Sequence, residues 1–548
     1  MSSSSHSFSP EALLAIKDLN IRLGDRTLVE SLELTIQAGE THALVGESGS
    51  GKSLTALSIV GLLNPSFTTT GARRLNGVEL SGLGRKMLDR CRGNEVGFIF
   101  QEPMSSLNPV HTVGQQIGEA LHLHHKAPAS ARRTRVIELL KAVNLPDPER
   151  MICAYPHALS GGQRQRVVIA MAIANRPRLI IADEPTTALD VTVAHEILEL
   201  LDQLKEELGS ALLLITHDMH LVRRFAQHVS VMRHGRLVET GAVRDVLDAP
   251  QHDYTRELLA AEPSGTPQPI AQDAAVLLST DKLTVHYPGR RQLLRRRDDG
   301  VHALQEVTLT LREGETLGIV GESGSGKSTL AKAILGMQQA SGTVTLLGQR
   351  VDGYSMRQWR PLRAEVQFVF QDPYGSLSPR MSVFEIIAEG LRFHQCHLSK
   401  EEVVQRVEQV LHDVGLDIDP VDRYPHEFSG GQRARISLAR ALILKPRLLL
   451  LDEPTAALDR VVQKQLIVLL RRLQRERGLS YLFISHDLAV VRALSHRVMV
   501  LQGGSVVEQG EASVVFDTPR TAFTQRLVTA SSIVDDDPDS GQCGTREE

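Results

Sequence analysis

The octapeptide GESGSGKS occurs twice in the chain, at residues 46–53 and again at 321–328. Each copy follows a short apolar stretch, THALV or TLGIV, and precedes a segment with a helical pattern. Glycines in such a loop let successive backbone N–H groups converge on phosphate oxygens, and the following helix directs its positive end at the same anion. The sequence therefore predicts two P-loops that bind the phosphates of a nucleotide.

Each loop ends in a lysine and a serine whose side chains could act on the nucleotide. Lys52 and Lys327 are expected to hold the β- and γ-phosphates, and the hydroxyls of Ser53 and Ser328 to ligate Mg²⁺. The predicted nucleotide contacts of the loops are Gly46, Glu47, Ser48, Gly49, Ser50, Gly51, Lys52, Ser53, Gly321, Glu322, Ser323, Gly324, Ser325, Gly326, Lys327, Ser328 and Thr329.

Two neighbouring acids follow an apolar strand pattern in each half, in LIIADEPTTALD and LLLLDEPTAALD. The end of a strand is a rigid support for an acid that faces phosphates. We expect Asp183 and Asp452 to complete the magnesium shell, and Glu184 and Glu453 to orient and polarise the attacking water. The alternative is that these acids only cap the segment that follows.

A histidine ends another apolar run about 30 residues further on, in LLLITHD and YLFISHD. A lone histidine at a strand end is more often structural than functional. His217 and His486 occupy the same position in both halves, however, which favours a contact with the γ-phosphate.

The matching positions repeat at a nearly constant distance along the chain. They lie about 270 residues apart, which indicates a duplicated domain of about 250 residues and not a solenoid, whose repeats are roughly 20 to 50 residues long. The first copy is slightly longer between its P-loop and Gln101. The matched pairs are Lys52 and Lys327, Gln101 and Gln371, Ser160 and Ser429, Asp183 and Asp452, and His217 and His486.

The motifs LSGGQRQR and FSGGQRAR, at residues 159–166 and 428–435, complete the pattern. Together with the P-loops, acids and histidines, they resemble the ATPase domains of ABC transporters over nearly the whole chain, in two copies. In that family the serine and glycines open a helix and bind the γ-phosphate of ATP held by the opposite domain. The resemblance implies ATP-binding roles for Ser160, Gly161, Gly162, Gln163, Ser429, Gly430, Gly431 and Gln432.

This resemblance implies that neither site is complete within one domain. Gln101 and Gln371 are expected to contact both the nucleotide and Mg²⁺. Site one would combine the first P-loop, Gln101, Glu184 and His217 with Ser429, Gly430 and Gly431, and site two would combine the second P-loop, Gln371, Glu453 and His486 with Ser160, Gly161 and Gly162.

The two copies differ where the family usually stacks an aromatic side chain on adenine. Tyr287 in LTVHY fits that place, whereas Leu23 in LNIRL lies opposite it in the alignment of the copies. Base stacking on an aromatic ring contributes roughly 1 to 3 kcal/mol. The difference predicts weaker nucleotide binding at site one, unless the adenine contact of that site lies elsewhere.

The resemblance also sets the expected fold. It is α/β, with two tandem P-loop ATPase domains, each containing a RecA-like core, an antiparallel β subdomain and an inserted helical subdomain. The expected boundaries are a disordered N-terminus at 1–11, domain one at 12–261, a Pro-rich linker at 262–275, domain two at 276–530 and a disordered acidic tail at 531–548.

Both glutamine loops, FQEPMSSLNP and FQDPYGSLSP, resemble the peptide-importer branch of this family, as does APQHDYTRELL. Among fused proteins the chain looks most like the ATPases of microcin C and peptide uptake systems, with glutathione importers next. This implies an ATPase that powers import of peptides or peptide-like compounds across the inner membrane. Importers of glutathione or nickel chelates, and a soluble tandem ATPase acting on ribosomes, are the alternatives.

The same resemblance implies the partners and the location. Two integral-membrane permease subunits and a periplasmic binding protein are expected, with no nucleic acid. Both domains belong to one chain, so that no homodimer is required. The protein would lie on the cytoplasmic face of the inner membrane.

Composition limits the other possibilities. The 61 Lys and Arg residues are outnumbered by 65 Asp and Glu, which is unlike a nucleic-acid binder. The apolar runs are too short to span a bilayer, and MSSSSHSFSP does not resemble a secretory signal. The four cysteines are isolated, so that we expect no iron-sulfur cluster. The P-loops, acids and signature motifs make ATP and Mg²⁺ the expected cofactors.

Overall fold

The computed structural model describes residues 12–125, 128–187, 189–271, 273–288, 300–417, 423–456 and 458–531. The N-terminus predicted to be disordered lies outside the described residues, as does the predicted acidic tail after Ser531. The chain divides into two compact units. The first is Met1–Leu189, Val193–Ala261 and Asp459–Val461, and the second is Asp190–Thr192, Glu262–Leu458 and Val462–Glu548.

The first unit contains two sheets. One is four-stranded and antiparallel, in the order β2-β1-β4-β5, and the other is six-stranded, in the order β10-β9-β3-β8-β7-β6, with all neighbours parallel except β9 and β10. The strands are β1 (Ala12–Leu23), β2 (Arg26–Gln37), β3 (Thr41–Val45), β4 (Phe67–Leu75), β5 (Val78–Glu79), β6 (Val96–Ile99), β7 (Leu179–Asp183), β8 (Ala211–Thr216), β9 (His228–Arg233) and β10 (Arg236–Ala242).

Helices flank the six-stranded sheet. Five of the described helices, α3 to α7, lie between β6 and β7 in the chain, and α3 to α6 lie where the helical subdomain is predicted. A short 3-10 helix, Pro156–Ala158, precedes α7. The helices before Glu262 are α1 (Lys52–Ile59), α2 (Arg85–Cys91), α3 (Pro103–Ser106), α4 (Val113–His124), α5 (Ala129–Ala142), α6 (Pro148–Met151), α7 (Gly161–Ala172), α8 (Val191–Leu208), α9 (Met219–Phe225), α10 (Val243–Asp248) and α11 (Asp253–Leu259).

Hydrophobic pattern explains the central strands. Every residue of β3, β7 and β8 is buried, which is typical of parallel strands covered on both faces. The sequences THALV, LIIAD and ALLLIT are correspondingly apolar almost throughout, and the acid of LIIAD is the last residue of its strand. Burial therefore places Asp183 at the carboxyl edge of the sheet, where the P-loop also follows β3.

The second unit repeats this plan, with sheets in the order β12-β11-β14-β15 and β16-β17-β18-β13-β19-β20. A 3-10 helix, Pro425–Glu427, again precedes the signature helix. Its elements are β11 (Val276–Tyr287), β12 (Val301–Arg312), β13 (Thr316–Val320), β14 (Ser341–Leu346), β15 (Gln349–Arg350), β16 (Val366–Val369), β17 (Leu448–Asp452), β18 (Ser480–Ile484), β19 (Arg497–Gln502), β20 (Ser505–Glu511), α12 (Lys327–Ile334), α13 (Met356–Glu365), α14 (Pro373–Ser376), α15 (Val383–His394), α16 (Lys400–Asp413), α17 (Gly430–Leu442), α18 (Arg460–Arg477), α19 (Leu488–Leu494), α20 (Ala512–Asp517) and α21 (Ala522–Ala530).

The predicted fold class is thus confirmed in both units. The described residues of the predicted linker, 262–271 and 273–275, contain no helix or strand, and the exact domain boundaries stay a prediction. Part of the extra length of the first copy lies at the start of β4. That strand has nine residues and pairs with β1 from Phe67 opposite Leu23, whereas β14 has six and its pairing with β11 begins at Ser341 opposite Thr284.

Candidate nucleotide-binding sites

The first P-loop connects β3 to α1 and is tightly packed. A Cβ atom on Gly46 would overlap the carbonyl oxygen of Met232, so that only glycine fits there. Gly51 has φ 106°, a left-handed conformation that favours glycine, and α1 begins directly after it. The Lys52 ammonium is buried and donates to the carbonyl oxygens of Gly46 at 2.7 Å and of Glu47 at 2.8 Å.

The buried polar atoms of this loop fit a phosphate ligand. Among the described residues, the buried Ser50 Oγ has no hydrogen-bond partner, and neither has Ser325 Oγ in the second loop. Burial lowers the pKa of Lys52, which the charges of Glu184 and Asp183 partly oppose. A buried cation and unpartnered donors are the groups that a polyphosphate would satisfy.

Ser53 and Asp183 form an oxygen pair beside the loop. Ser53 Oγ donates to Asp183 Oδ1 at 3.1 Å, although the two residues lie 130 positions apart. Burial raises the pKa of Asp183 to about 6, and the charge of Glu184 adds to this effect. A hydroxyl and a buried carboxylate are oxygen ligands of the kind that Mg²⁺ prefers, so the pair fits the predicted metal.

Glu184 follows β7 and is surrounded by donors. Its Oε2 accepts hydrogen bonds from Gln101 Nε2 at 2.8 Å and from Thr187 Oγ1 at 2.9 Å, and its Oε1 lies 3.5 Å from His217 Nδ1. Burial alone would raise the pKa of Glu184, but the hydrogen bond and charge of His217 outweigh it and lower the pKa to about 2. The carboxylate is therefore ionised at neutral pH.

The backbone of this glutamate is strained in both units. Glu184 has φ 46° and Glu453 has φ 49°, in the left-handed region that side chains larger than glycine rarely adopt. Such a conformation costs of order 1–3 kcal/mol and persists only where the surroundings enforce it. In each unit the backbone N–H of the glutamate donates to the next strand, to Ile215 or Ile484, which fixes the turn.

The second unit brings together the same set of side chains. Lys327 Nζ donates to the carbonyl oxygens of Gly321 and Glu322 at 2.7 and 2.9 Å. Ser328 Oγ donates to Asp452 Oδ1 at 3.0 Å. Gln371 Nε2 donates to Glu453 Oε2 at 2.8 Å, and His486 Nδ1 lies 3.2 Å from the same oxygen.

Burial and charge shift the pKa values of the two acids in the second unit in the same directions as in the first. Burial raises the pKa of Asp452. Burial would also raise the pKa of Glu453, but the hydrogen bond and charge of His486 lower it. For His486 itself, burial lowers the pKa and the contact with Glu453 outweighs it, so that the pKa is raised.

The signature motifs open helices, as the sequence indicates. Ser160 caps α7 in a capping box with Gln163, in which each side chain accepts from the backbone N–H of the other residue, at 3.3 and 3.1 Å. A Cβ atom on Gly162 would lie 2.6 Å from Val193 Cγ1, so that a side chain here would force Val193 to move. Ser429 and Gln432 repeat the box at α17. Both helices begin with backbone N–H groups suited to an anion.

The residues at the predicted adenine positions lie at the ends of two strands. Leu23 and Tyr287 are the last residues of β1 and β11, and each side chain is exposed, by 43% and 40% respectively. Leu23 has a partner that sequence comparison missed, because Phe67 lies directly opposite it on β4. Residues directly opposite on antiparallel strands have Cβ atoms about 5 Å apart, so that an aromatic ring lies beside Leu23.

Thr187 is a further site residue that the motifs did not identify. Its hydroxyl bonds to Glu184, whereas the matching residue of the second unit is Ala456. The difference between TTALD and TAALD in the two acid motifs is the signal that could have found it.

Two kinds of feature are absent from the described ranges. No helix there has the length and hydropathy that crossing a bilayer requires. Over the same residues, no group of three or more His, Cys, Asp or Glu side chains is placed to hold a metal ion.

Comparison with known proteins identifies the family. The ABC transporter family model matches residues 29–187 and 304–456. The chain belongs to the ABC transporter family. The peptidoglycan transport ATP-binding protein YejF of Agrobacterium fabrum is 51% identical over 527 residues, which are 95% of this chain and 96% of that protein. The glutathione import ATP-binding protein GsiA of Escherichia coli O157:H7 is 43% identical over 561 residues, with 95% and 90% covered.

The resemblance inferred from the motifs is therefore confirmed, with two ABC cassettes in one chain. As a member of this family, the chain is an ATPase coupled to transport. A chain in the crystal structure of archaeal ribosomal stalk protein aP1 with ribosome recycling factor aABCE1 is also similar, with a TM-score of 0.58, 21% identity and 88% of both chains covered. At that identity the likeness shows the fold alone.

Proposed function

We propose that this chain is the ATP-hydrolysing subunit of an importer of peptides or peptide-like compounds. The observation that supports ATP hydrolysis most directly is the repeated constellation around each glutamate. In both units a P-loop lysine, a serine–aspartate pair, and a glutamate held by a glutamine and a histidine converge, with matching distances within 0.3 Å of each other.

Each side chain has a distinct role in the proposed hydrolysis. Lys52 holds the β- and γ-phosphates and stabilises the charge that grows as the terminal phosphoryl group departs. Glu184 orients the attacking water and accepts its proton, because it is ionised and near the carboxyl edge of the sheet. His217 orients Glu184 and contacts the γ-phosphate, while Gln101 holds the other carboxylate oxygen. Lys327, Glu453, His486 and Gln371 have the same roles in the second unit, where Gln371 and His486 both contact Glu453 Oε2.

Mg²⁺ is the proposed metal. Ser53 with Asp183 and Ser328 with Asp452 would hold it, assisted by Gln101 and Gln371. When bound, the ion would neutralise part of the charge of the phosphates. We propose no iron-sulfur cluster, and stoichiometric iron and labile sulfide in anaerobically purified protein would contradict this.

The signature residues are proposed as the remaining ATP ligands. The capping boxes at Ser160 and Ser429 support this role, because they leave the first backbone N–H groups of α7 and α17 available to an anion. The pairing of each P-loop with the signature of the other copy stays a prediction from the sequence. Exchanging Ser429 for Arg should then abolish hydrolysis at the first P-loop.

The transported class follows from the relatives. One is a peptidoglycan transport ATP-binding protein and another is a glutathione import ATP-binding protein. Peptidoglycan and glutathione both contain peptide bonds. Peptides and peptidoglycan fragments are the proposed cargo of this chain's system. Glutathione is the second candidate, because GsiA also matches across 95% of the chain.

The proposed partners are two integral-membrane permeases and a periplasmic binding protein, with this chain on the cytoplasmic face of the inner membrane. The test is affinity purification from detergent-solubilised membranes of the variant with Glu184→Gln and Glu453→Gln, which should hold ATP. Recovery of two permeases supports the proposal, and recovery of ribosomal proteins instead would overturn it. Uptake of a labelled tripeptide with only α-peptide bonds and of labelled glutathione, compared between cells with and without the gene, then separates the two cargo classes.

A further inference from the structure

A buried tyrosine contacts the first P-loop from outside the motifs. Tyr254 lies in α11, is fully buried, and belongs to the hydrophobic cluster that includes Val45 and Val231. Its hydroxyl oxygen accepts a hydrogen bond from the backbone N–H of Glu47 at 3.1 Å. The residue lies in APQHDYTRELL, so that the structure gives this motif a physical contact with the nucleotide loop.

The contacted peptide group is also one on which the P-loop lysine rests. The Glu47 N–H that donates to Tyr254 and the Gly46 carbonyl oxygen belong to one peptide group, and that oxygen accepts from Lys52 Nζ at 2.7 Å. The carbonyl oxygen of the next group, that of Glu47, accepts from the same ammonium at 2.8 Å. The hydroxyl is therefore connected to the ammonium group through one peptide group. Any rotation of this peptide group that follows loss of the hydroxyl contact also moves the carbonyl that orients Lys52.

The tyrosine ring is itself held in place. The Arg233 guanidinium lies 4.4 Å from the ring centroid, and Arg233 Nη2 lies 3.7 Å from Glu257 of the same helix α11. Burial raises the pKa of Tyr254 to about 12, so that its hydroxyl stays neutral at physiological pH. A neutral, immobile hydroxyl is a fixed point against which the loop can be positioned.

The second unit lacks this hydroxyl. Phe523 of α21 occupies the matching position, 269 residues after Tyr254, and is buried. Other supports are shared, because the backbone N–H of Gly235 donates to the Ser50 carbonyl as that of Gly504 does to Ser325, at 2.9 and 3.1 Å. The two loops thus differ at this contact by one oxygen atom.

We propose that Tyr254 is a positioning residue for the first nucleotide site, which fixes Glu47 and thereby aims Lys52 at the β- and γ-phosphates. The inference rests on the proposed ATP-binding function. It means that α11 contributes to nucleotide affinity through a hydroxyl that the matching residue of α21, Phe523, lacks.

The test is the Tyr254→Phe variant of the full chain, which removes only the oxygen. Combining it with Lys327→Ala confines tight binding to the first P-loop. A single hydrogen bond of this kind corresponds to about a 3- to 10-fold change in Kd. We expect that loss for ATP and ADP by calorimetric titration, with AMP affected less than twofold, because Lys52 meets only the β- and γ-phosphates.

Tyr481→Phe is the matched control. Tyr481 is also fully buried, and its hydroxyl donates to the Leu470 carbonyl at 2.9 Å in the second unit. This variant should lower the Tm by about as much as Tyr254→Phe while leaving the ATP affinity of the first site unchanged. In the chain without Lys327→Ala, Tyr254→Phe should raise the KM for ATP more than it lowers kcat.

The outcomes separate the two proposals. An ATP Kd of Tyr254→Phe within twofold of its Lys327→Ala parent overturns the positioning role and leaves the proposed function standing. Equal losses for ATP and AMP also overturn it, because they indicate a general loss of structure. A parent chain that binds no ATP overturns both.

Discussion

The two units hold the predicted phosphate site with the same atoms but support it with different ones. The lysine, serine–aspartate and glutamine–glutamate contacts match within 0.1 Å. Around them, Thr187 becomes Ala456, Tyr254 becomes Phe523 and Leu23 becomes Tyr287. The two copies therefore share the residues that would contact phosphate. They differ in two residues that support those contacts and in the predicted adenine contact.

A second difference lies at the opposite edge of the sheet, at the glutamate that directly precedes β3 in the first unit and β13 in the second. Glu40 lies 3.2 Å from His42 Nδ1 and 2.8 Å from His228 Nδ1. Glu315 is fully buried and accepts from Arg497 Nη1 at 3.1 Å. One carboxylate thus faces two imidazoles and the other a guanidinium. The same fold position can be satisfied by either kind of partner.

The largest expected effect tests whether the two sites are chemically equal. The double variant Glu184→Gln, Glu453→Gln should lower the ATPase rate by about 100-fold or more, because a general base contributes of that order. The two single variants should differ from each other by less than about threefold in phosphate release, since each glutamate has the same glutamine and histidine partners. Glu401→Gln, at an exposed position of α16, is the control. A single variant that keeps the wild-type rate would show that the sites are unequal.

The second prediction concerns the buried carboxylates. Arg497→Ala leaves Glu315 buried without its guanidinium and should destabilise the second unit by about 3 kcal/mol, which corresponds to a Tm lower by about 6–12 °C. His228→Ala should cost the first unit less, because His42 still contacts Glu40 and His228 is half exposed. Calorimetry with peptide-resolved hydrogen exchange assigns each loss to its unit. A larger loss in the first unit would contradict the comparison.

The third prediction concerns the base contact. In a Lys327→Ala background, Leu23→Tyr should tighten ATP binding at the first site by about fivefold, since aromatic stacking is worth at least about 1 kcal/mol. Phe67 decides the alternative, because its ring lies opposite Leu23. If Leu23→Tyr leaves the ATP affinity of the first site unchanged and Phe67→Ala weakens it, Phe67 and not residue 23 makes the adenine contact. Titration with ATP measures both.

The smallest expected effect is the pH dependence that Glu40 gives to the stability of the first unit. Burial would raise the pKa of Glu40, but its contacts with His42 and the Gln37 backbone lower it overall. A carboxyl with a lowered pKa stabilises the fold above its unfolded value, near 4.3, and loses that contribution as pH falls through the folded value. Glu40→Gln should therefore flatten the acid limb of the first unit's stability between about pH 5 and 3. An unchanged acid limb would contradict this assignment.

The sequence predicted best those features that depend on neighbouring residues. Lys52 and Ser53 belong to one loop, and Asp183 and Glu184 to one strand end, so that local pattern and the carboxyl edge of a parallel sheet bring them together. Because each motif occurs in both halves of the chain, each prediction had support from two copies. The α/β fold and its inserted helices followed from the same resemblance.

The supporting contacts could not be read in this way. The contact of Tyr254 with Glu47 joins residues 207 positions apart, and that of His42 with Ser230 joins residues 188 apart. Such contacts depend on how α11 and β9 pack against the P-loop strand, and no local spacing encodes that. The pairing of Phe67 with Leu23 likewise depends on a strand register that a one-residue slip would abolish.

The hydrogen bond between Gln101 and Glu184 has one more consequence. Gln101 begins the segment that leads into α3 and α4, so that an amide joins the inserted helices to the proposed catalytic carboxylate. Linkage between two equilibria is reciprocal. A force on the inserted helices that stabilises this hydrogen bond therefore also stabilises the nucleotide state in which the bond is kept. That nucleotide state stabilises the same arrangement of the helices by an equal free energy. Within each unit, one amide thus couples the position of the inserted helices to the state of the proposed catalytic carboxylate.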